Sequence, residues 1–188
     1  MLTIRKATID DAAHIATFLF LAMEDIVYKF IGAKDADKAL AFFLYFTHKE
    51  DNQYSYTKCF VAELDGHVVA AANVYNGADL HQLREPVVQY IHSHYNPAFQ
   101  PEDETQAGEY YLDCLAVHPQ HHGKGYGSAM LRFLIQEYVV KHQQPIGLLV
   151  DEDNPNAKRL YIKMGFVSDG VKLLFGKQME HLQITSSK

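Results

Sequence analysis

The chain has 188 residues, of which 48% are hydrophobic, and its 23 acidic and 17 basic side chains give a formal net charge of −6 at pH 7. This length is enough to bury one full core, and the even spread of apolar residues excludes wholesale disorder, so we expect one domain over residues 1–188. The acidic balance argues against a nucleic-acid partner, which would need a basic patch, and the apolar runs are too short for a membrane span.

The first half of the chain predicts alternating strands and helices. Asp10 and Asp11 cap a helix that Gly32 ends, Asp65-Gly66 is a type I′ hairpin signal, and Pro86 must begin a helix or break one. In chain order we expect a strand at 2–6, a helix from 10 to 32, a helix at 35–46, strands at 58–64 and 67–75, a partly helical stretch at 79–93, and an exposed loop at 96–108.

The second half continues the alternation and completes a mixed α/β sheet. A strand at 110–117 leads into a glycine-rich turn and a helix with one buried face, which ends before Pro145. We then expect a buried strand at 146–150, a helix, a pair of strands at 167–182 around Gly176, and a short tail at 184–188. Strand alternation places Asp113, Leu115 and Val117 on one face, with Cys114 and Ala116 on the opposite face.

The turn between the predicted strand and helix contains three alternating glycines, Gly123, Gly125 and Gly127. Such a turn leaves backbone N–H groups free where a helix N-terminus adds its positive dipole end, which favours binding of phosphate. The spacing fits neither a P-loop, because Gly125 follows Gly123-Lys124, nor a dinucleotide fingerprint, because the third glycine comes one residue early.

Two motifs resemble the signatures of the GNAT acyltransferase superfamily. The first is Val117-His118-Pro119 followed by His122, Gly125 and Gly127, where the family has Gln or Arg at the position of His122. The second reads Asn-x-x-Ala-x-x-Leu-Tyr-x-x-x-Gly-Phe and covers 154–166. Their order and separation give the resemblance its weight, which is strongest over 110–166.

This resemblance implies a GNAT-like fold with helices on both faces of the sheet and a site for acetyl-CoA, without a metal. The glycine loop would hold the pyrophosphate, and the strand before it would separate from its neighbour so that its backbone pairs with the pantetheine arm. The implied coenzyme-binding residues are Leu115, Ala116, Val117, His122, Gly123, Lys124, Gly125, Tyr126, Gly127, Ser128, Asn154 and Tyr161. Asn154 also fits a helix N-cap, and Lys124 also fits a surface residue.

Acyl transfer to an amine needs a base, an oxyanion donor and a proton for the departing thiolate. The resemblance points to Tyr161 as that proton donor, although its spacing also fits core packing. Asp113, among apolar neighbours, is a candidate base with a raised pKa, or else a structural carboxylate. Backbone N–H groups near Val117 are candidates for the oxyanion, while Glu109 also fits an exposed strand start.

The resemblance also implies the position of an acceptor site. The resemblance places it within 24–46 and 54–56, where Glu24 or Asp25 could hold a cationic amine; helix packing is the alternative for the aromatic residues there. Those aromatic residues are Tyr28, Phe30, Tyr45, Tyr54 and Tyr56. The histidines His118, His121 and His122 lack the convergent ligands of a zinc site and fit solvated loop positions.

The sequence therefore predicts an acetyl-CoA-dependent N-acetyltransferase that acts on a primary amine of a small molecule, peptide or protein by direct attack. The alternatives are a non-catalytic acyl-CoA-binding or sensing domain and, in third place, a nucleotide-binding module. Without a signal core at the N-terminus, and with Cys59 and Cys114 expected as reduced thiols, we expect a cytoplasmic protein. A homodimer is compatible with the resemblance.

Overall fold

The computed structural model describes residues 1–186, which form five helices and a seven-stranded mixed sheet. The strands are β1 Leu2–Lys6, β2 Cys59–Leu64, β3 His67–Asn76, β4 Tyr110–Val117, β5 Ile146–Asp151, β6 Val167–Leu174 and β7 Lys177–Ile184. The helices are α1 Ala12–Ile31, α2 Ala36–Thr47, α3 Leu80–His94, α4 Tyr126–Leu134 and α5 Pro155–Lys163, with a π-helical segment at Ile135–Lys141 after α4. The predicted tail starts within β7, and its last two residues lie outside the described part.

The strands lie in the order β1-β2-β3-β4-β5-β7-β6. All neighbours are antiparallel except β4 and β5, which are parallel and pair only through Tyr110 with Ile146 and Tyr111 with Gly147. Beyond Tyr111 the two strands separate, as the sequence resemblance implied. The sheet therefore has an opening at its centre, on the side of the glycine loop.

Helices cover both faces of the sheet, so the predicted fold class is confirmed. One core contains the buried faces of α1, α2 and α3 together with Val61, Ala71 and Cys114 from the strands. The other contains Met130, Leu131 and Leu134 of α4 with the opposite strand face. Within residues 1–186, no helix combines the length and the hydropathy that crossing a membrane would require.

A β-bulge in β4 overturns the predicted strand faces. Asn73 of β3 pairs with Cys114 and Val74 pairs with Leu112, so Asp113 is an extra residue between them. One extra residue resets the alternation, and Asp113 and Cys114 then lie on the same side of the sheet. Cys114 packs in the core beneath α1, whereas Leu115 and Val117 pack against the other core.

Helix α3 continues through Pro86, although the sequence predicted a break or a start there. Proline removes the amide that would bond to the carbonyl of Gln82. Both Pro86 and Gln82 are exposed, so water can satisfy that carbonyl. The helix is held on its opposite side by Leu83, Val87 and Ile91, which are buried.

The segment at 96–108 has no regular structure, as predicted, but it is not simply an exposed loop. Phe99, Glu104 and Thr105 are buried. Glu109 is also buried rather than at an exposed strand start: its carboxylate accepts hydrogen bonds from Thr105 Oγ1 at 2.7 Å and Gln183 Nε2 at 3.0 Å, and lies 2.9 Å from His181 Nε2.

The buried Glu109 carboxylate depends on Gly147 of β5 having no side chain. A Cβ at Gly147 would lie 1.9 Å from Glu109 Oε2 and 2.8 Å from His181 Nε2. Gly147→Ala should therefore destabilise the protein by roughly 2–4 kcal/mol, measured by urea unfolding. A double-mutant cycle with Glu109→Ala is the control, because a clash between these two residues requires a coupling of about 1 kcal/mol or more. Additive effects in the cycle would contradict the explanation.

Candidate active site

Two adjoining cavities lie where β4 and β5 separate, with volumes of about 840 Å³ and 520 Å³. The smaller cavity lies beside the glycine loop, and the larger one extends beneath α1 and α3. Five residues line both cavities: Leu115, Val117, His122, Ala157 and Tyr161. Tyr161 and the end of β4 therefore mark the passage from one cavity to the other.

The glycine loop has the geometry of an anion site. Gly123 and Gly125 have φ angles of 74° and 82°, and Gly125 is the N-cap of α4. The amide of Ala129 bonds to the Gly125 carbonyl at 2.9 Å, which is the first hydrogen bond of the helix. The three preceding amides, of Tyr126, Gly127 and Ser128, have no acceptor in the helix and are available to a ligand. All three residues line the smaller cavity.

Two side chains of the loop differ from the predicted phosphate contacts. His122 Nε2 lies 2.8 Å from the carbonyl oxygen of Val117, so the imidazole is turned back onto the end of β4. Nε2 must carry the proton in that hydrogen bond. A neutral His122 then has only an acceptor, Nδ1, for a ligand, whereas a phosphate oxygen needs a donor. Lys124 is exposed and is outside the lining of both cavities.

The free edge of β4 presents alternate residues to the gap. The amide of His118 bonds to the Val69 carbonyl of β3 at 2.8 Å. Because backbone groups of an antiparallel strand alternate in direction, those of Val117 and Leu115 point away from β3 and toward the gap. Ala116, between them, directs its backbone to β3. Of the three predicted pantetheine contacts, Leu115 and Val117 thus have suitably directed backbone groups.

The second motif forms α5, whose first turn and half-buried side reach the cavities. The Asn154 side chain accepts from the Ala157 amide at 3.2 Å, so the N-cap interpretation is confirmed, and Asn154 also lines the larger cavity. Burial raises the pKa of Tyr161 to about 12, with a smaller contribution from Cys114. A phenol with this pKa stays protonated throughout the physiological range, as a proton donor must.

Asp113 lies in the larger cavity with a second carboxyl close by. Burial, and next the Glu104 carboxylate, raise the pKa of Asp113 to about 8, against the opposing effects of Arg84 and Gln53. Arg84 is paired with Glu104, and its Nη1 donates to Asp103 at 2.9 Å. Burial also raises the pKa of Glu104, whose Oε1 accepts from Tyr75 at 3.0 Å. Asp113 is therefore a much stronger base than an ordinary aspartate.

Cys114 lines the same cavity as Asp113, so the prediction that the two residues lie on opposite strand faces is wrong. The thiol is nevertheless a poor nucleophile, because burial raises its pKa well above the usual value. The thiolate is the reactive form of cysteine, and this site disfavours it. The site therefore disfavours a covalent intermediate on Cys114.

The outer walls of the larger cavity come from α1, α3 and the segment before β4. Six consecutive residues of α1, Leu21 to Ile26, line the cavity, which a straight helix cannot achieve because six residues exceed one full turn. A non-helical conformation at Met23, with φ −128° and ψ 25°, interrupts the helix there. As a result Glu24 and Asp25 reach the cavity mouth, where they are exposed.

The predicted acceptor region is only partly correct. Of the aromatic residues proposed for the amine pocket, Phe30 and Tyr54 line the cavity, whereas Tyr28, Tyr45 and Tyr56 do not. No lining residue comes from α2. The positions that the sequence analysis missed include Gln53, Arg84, Val87, Ile91, Phe99 and Glu104. For Arg84 a signal existed, since it lies on the same helical stripe as Leu80, Val87 and Ile91, where a charge indicates a buried partner.

Comparisons with known proteins agree with this geometry. Residues 22–166 match the family model described as the acetyltransferase (GNAT) family. The fold is similar to an N-acetyltransferase from Staphylococcus aureus Mu50, with a TM-score of 0.83, 20% identity, and coverage of 97% of this chain and 100% of that one. A further acetyltransferase structure gives a TM-score of 0.78 at 27% identity, covering 98% and 100% of the two chains.

The aminoglycoside acetyltransferase AAC(6')-Ib, solved in complex with coenzyme A, has a TM-score of 0.62 and 19% identity. The alignment covers 98% of this chain and 95% of that chain. Among curated proteins, none matches this sequence.

Proposed function

Since this chain belongs to the GNAT acetyltransferase family, we propose that it transfers the acetyl group of acetyl-CoA to a primary amine by direct attack. The acceptor is a small molecule or the amine of a peptide or protein. The cytoplasmic location and the homodimer expected from the sequence stay predictions. The larger cavity, next to Asp113, is the place that we assign to the amine.

The observation that carries the proposal is the free edge of β4 beside the glycine loop. Strands β4 and β5 separate beyond Tyr111, which leaves Leu115 and Val117 without a partner strand on that side. The same gap ends at the amides that open α4, where an anion is favoured. A chain of amides that ends in a pyrophosphate is complementary to this arrangement, and coenzyme A is such a molecule. In the described residues, no group of three His, Cys, Asp or Glu side chains is placed to bind a metal.

The residues of the chain can then supply the three functions that acyl transfer requires. Acetyl-CoA, when bound, provides the acetyl group as a thioester. Asp113 accepts the proton of the ammonium: its pKa of about 8 lies much closer to ~10.4 for an alkylammonium than that of an ordinary aspartate. A backbone N–H group of the free β4 edge near Val117 donates to the oxyanion, and the Tyr161 hydroxyl donates a proton to the departing sulfur.

Titration calorimetry with acetyl-CoA, and with ATP as the comparison ligand, tests the proposal. We expect saturable micromolar binding of acetyl-CoA and no comparable binding of ATP.

Gly125→Ala should weaken acetyl-CoA binding about tenfold, because alanine disfavours the left-handed conformation and turns the loop amides away. The matched control is Gly66→Ala in the β2–β3 hairpin, where φ is 83° and a Cβ would likewise meet nothing within 4 Å.

The two glycine variants should lose similar stability, and only Gly125→Ala should lose affinity. If acetyl-CoA does not bind, or if ATP binds at least as tightly, the proposed function is wrong.

A further inference from the structure

The larger cavity contains more acidic side chains than one base requires. Its lining includes Glu24, Asp25, Glu104, Asp113, Asp151 and Asp153, against the three cations Lys29, Arg84 and Lys177. Two of these cations are paired with carboxylates of the protein, and the third, Lys29, donates to a backbone carbonyl. Arg84 pairs with Glu104 and Asp103, Lys177 Nζ lies 2.8 Å from Asp151 Oδ2, and Lys29 Nζ donates to the Phe175 carbonyl at 2.8 Å.

Three lining carboxylates thus have no cation at ion-pair distance within residues 1–186: Asp113 deep in the cavity, and Glu24 and Asp25 at its mouth. Glu24 accepts a hydrogen bond from the Tyr28 hydroxyl at 2.9 Å, which leaves its charge uncompensated. Asp25 is close enough to Lys177 to contribute to the raised pKa of that lysine, but the two make no contact ion pair.

The deep end of the cavity has hydrogen-bond acceptors that lack donors. Asp113 Oδ2 and Gln53 Oε1 are buried without a hydrogen-bond partner in the described part of the chain, and both residues line the cavity. Gln53 is only 4% exposed. Buried polar atoms are almost always paired, so once Asp113 is ionised both acceptors need donors from water or from a ligand. An amine or ammonium brings two or three N–H donors to one position.

The wall of the cavity includes apolar side chains. Met23 comes from α1, Val87 and Ile91 come from α3, and Phe99 comes from the following segment; all four are buried and line the cavity. Phe99 is stacked on Phe175, with ring centroids 6.1 Å apart, and Phe175 is also part of the lining. Such a wall favours an aliphatic chain.

We propose that the acceptor is an aliphatic diamine or polyamine, whose reacting amine is held by Asp113 and Gln53 and whose second ammonium lies against Glu24 and Asp25. This assignment rests on the proposed function, because it names the class of amine that the acetyltransferase would use. The interruption of α1 at Met23 is the feature that brings the two mouth carboxylates to the cavity. Gln53 is a positioning residue for the reacting end.

The test compares two amines of equal chain length, pentane carrying an amine at both ends and n-pentylamine. With saturating acetyl-CoA we expect kcat/KM for the diamine to be about tenfold higher at low ionic strength, and the ratio to shrink as salt is added. The double variant Glu24→Gln/Asp25→Asn should remove most of this preference, because it lowers kcat/KM for the diamine much more than for the monoamine. Its matched control is Asp37→Asn/Glu85→Gln, which removes two exposed carboxylates outside the cavity.

A second variant tests the deep end of the cavity, and a binding measurement tests the mouth without turnover. Gln53→Leu should lower kcat/KM about tenfold for both amines without changing the affinity for acetyl-CoA. Calorimetry with the diamine alone should show binding that weakens in the Glu24→Gln/Asp25→Asn protein. Equal use of the two amines, or a diamine preference that survives that double variant, would overturn the inference. Failure to bind acetyl-CoA would instead overturn the proposed function, since the diamine binding is measured without it.

Discussion

Replacing Asp113 with Asn is expected to lower kcat/KM at least about a hundredfold and, at the same time, to stabilise the folded protein at alkaline pH. General bases contribute factors of about 10²–10⁴, and asparagine cannot accept the proton of the ammonium. In the wild type, kcat/KM should rise with pH until Asp113 ionises, at a pH of about 8. The residual activity of Asp113→Asn should not level off near pH 8 and should keep rising toward ~10.4, where the amine itself loses its proton.

The stability change follows from the direction of the pKa shift. The folded state holds the Asp113 proton up to a pH of about 8, whereas the unfolded chain releases it near the ordinary value of 3.8. Stability from this group is therefore complete below pH 3.8 and is lost as the pH rises through the folded pKa. Above the folded pKa, ionisation of the buried carboxylate costs several kcal/mol of folding free energy, at ~1.4 kcal/mol per unit of pKa difference. Asparagine carries no charge and avoids this cost.

Urea unfolding of both proteins at acidic and alkaline pH measures this cost. The free energies of unfolding should be similar at acidic pH and should separate as the pH rises, with Asp113→Asn the more stable protein. Glu85→Gln on the exposed side of α3 is the control, because it makes the same change of carboxylate to amide in solvent. A variant that is less stable than the wild type at alkaline pH would show that Asp113 is a structural carboxylate.

Tyr161→Phe is expected to reduce kcat about a hundredfold and to leave acetyl-CoA affinity within about twofold of the wild type. The substitution removes only a hydroxyl, and no protein group in residues 1–186 accepts a hydrogen bond from it. Stability should therefore be unchanged. Steady-state thiol release gives kcat, and calorimetry on the same preparations gives the affinity for acetyl-CoA.

The control for this substitution is Tyr110→Phe. Tyr110 is half-buried, packs against Tyr138 with ring centroids 4.3 Å apart, and lines neither cavity. The Tyr110→Phe variant should keep full activity. A wild-type protein that binds acetyl-CoA but shows no turnover with any amine would favour the sensing domain instead. A Tyr161→Phe variant that stays active would show that another group donates the proton to the departing thiolate.

The parts of the fold that the sequence predicted well are those with a local chemical signal. Asp65 and Gly66 both have positive φ angles, 50° and 83°, as a type I′ turn requires, and Gly32 ends α1 in the left-handed conformation. The glycine loop and the N-cap at Asn154 are likewise short motifs whose residues act on their own backbone. Their geometry needs no information from distant parts of the chain.

The failures depend on tertiary pairing. The bulge that places Asp113 and Cys114 on one side exists only because β3 and β4 pair with a shifted register, and nothing in the strand itself signals it. Burial of Glu104 depends on Arg84, twenty residues earlier, and on Tyr75 from a central strand. Helix α3 passes through Pro86 because its apolar stripe has a core to pack against. Each outcome is decided by a partner that local patterns do not identify.

The narrow connection between β4 and β5 has a consequence for the lifetime of the protein in a cell. Strand pairing joins the β1–β4 part of the described sheet to the β5-β7-β6 part through two residue pairs. Coenzyme A lying along β4 would take the place of the missing strand, so the ligand would become part of the architecture. Local opening of the C-terminal strands is what a protease exploits, and a ligand that binds only the closed state suppresses it. The cellular supply of the coenzyme would then govern how long each copy survives as well as how fast it works.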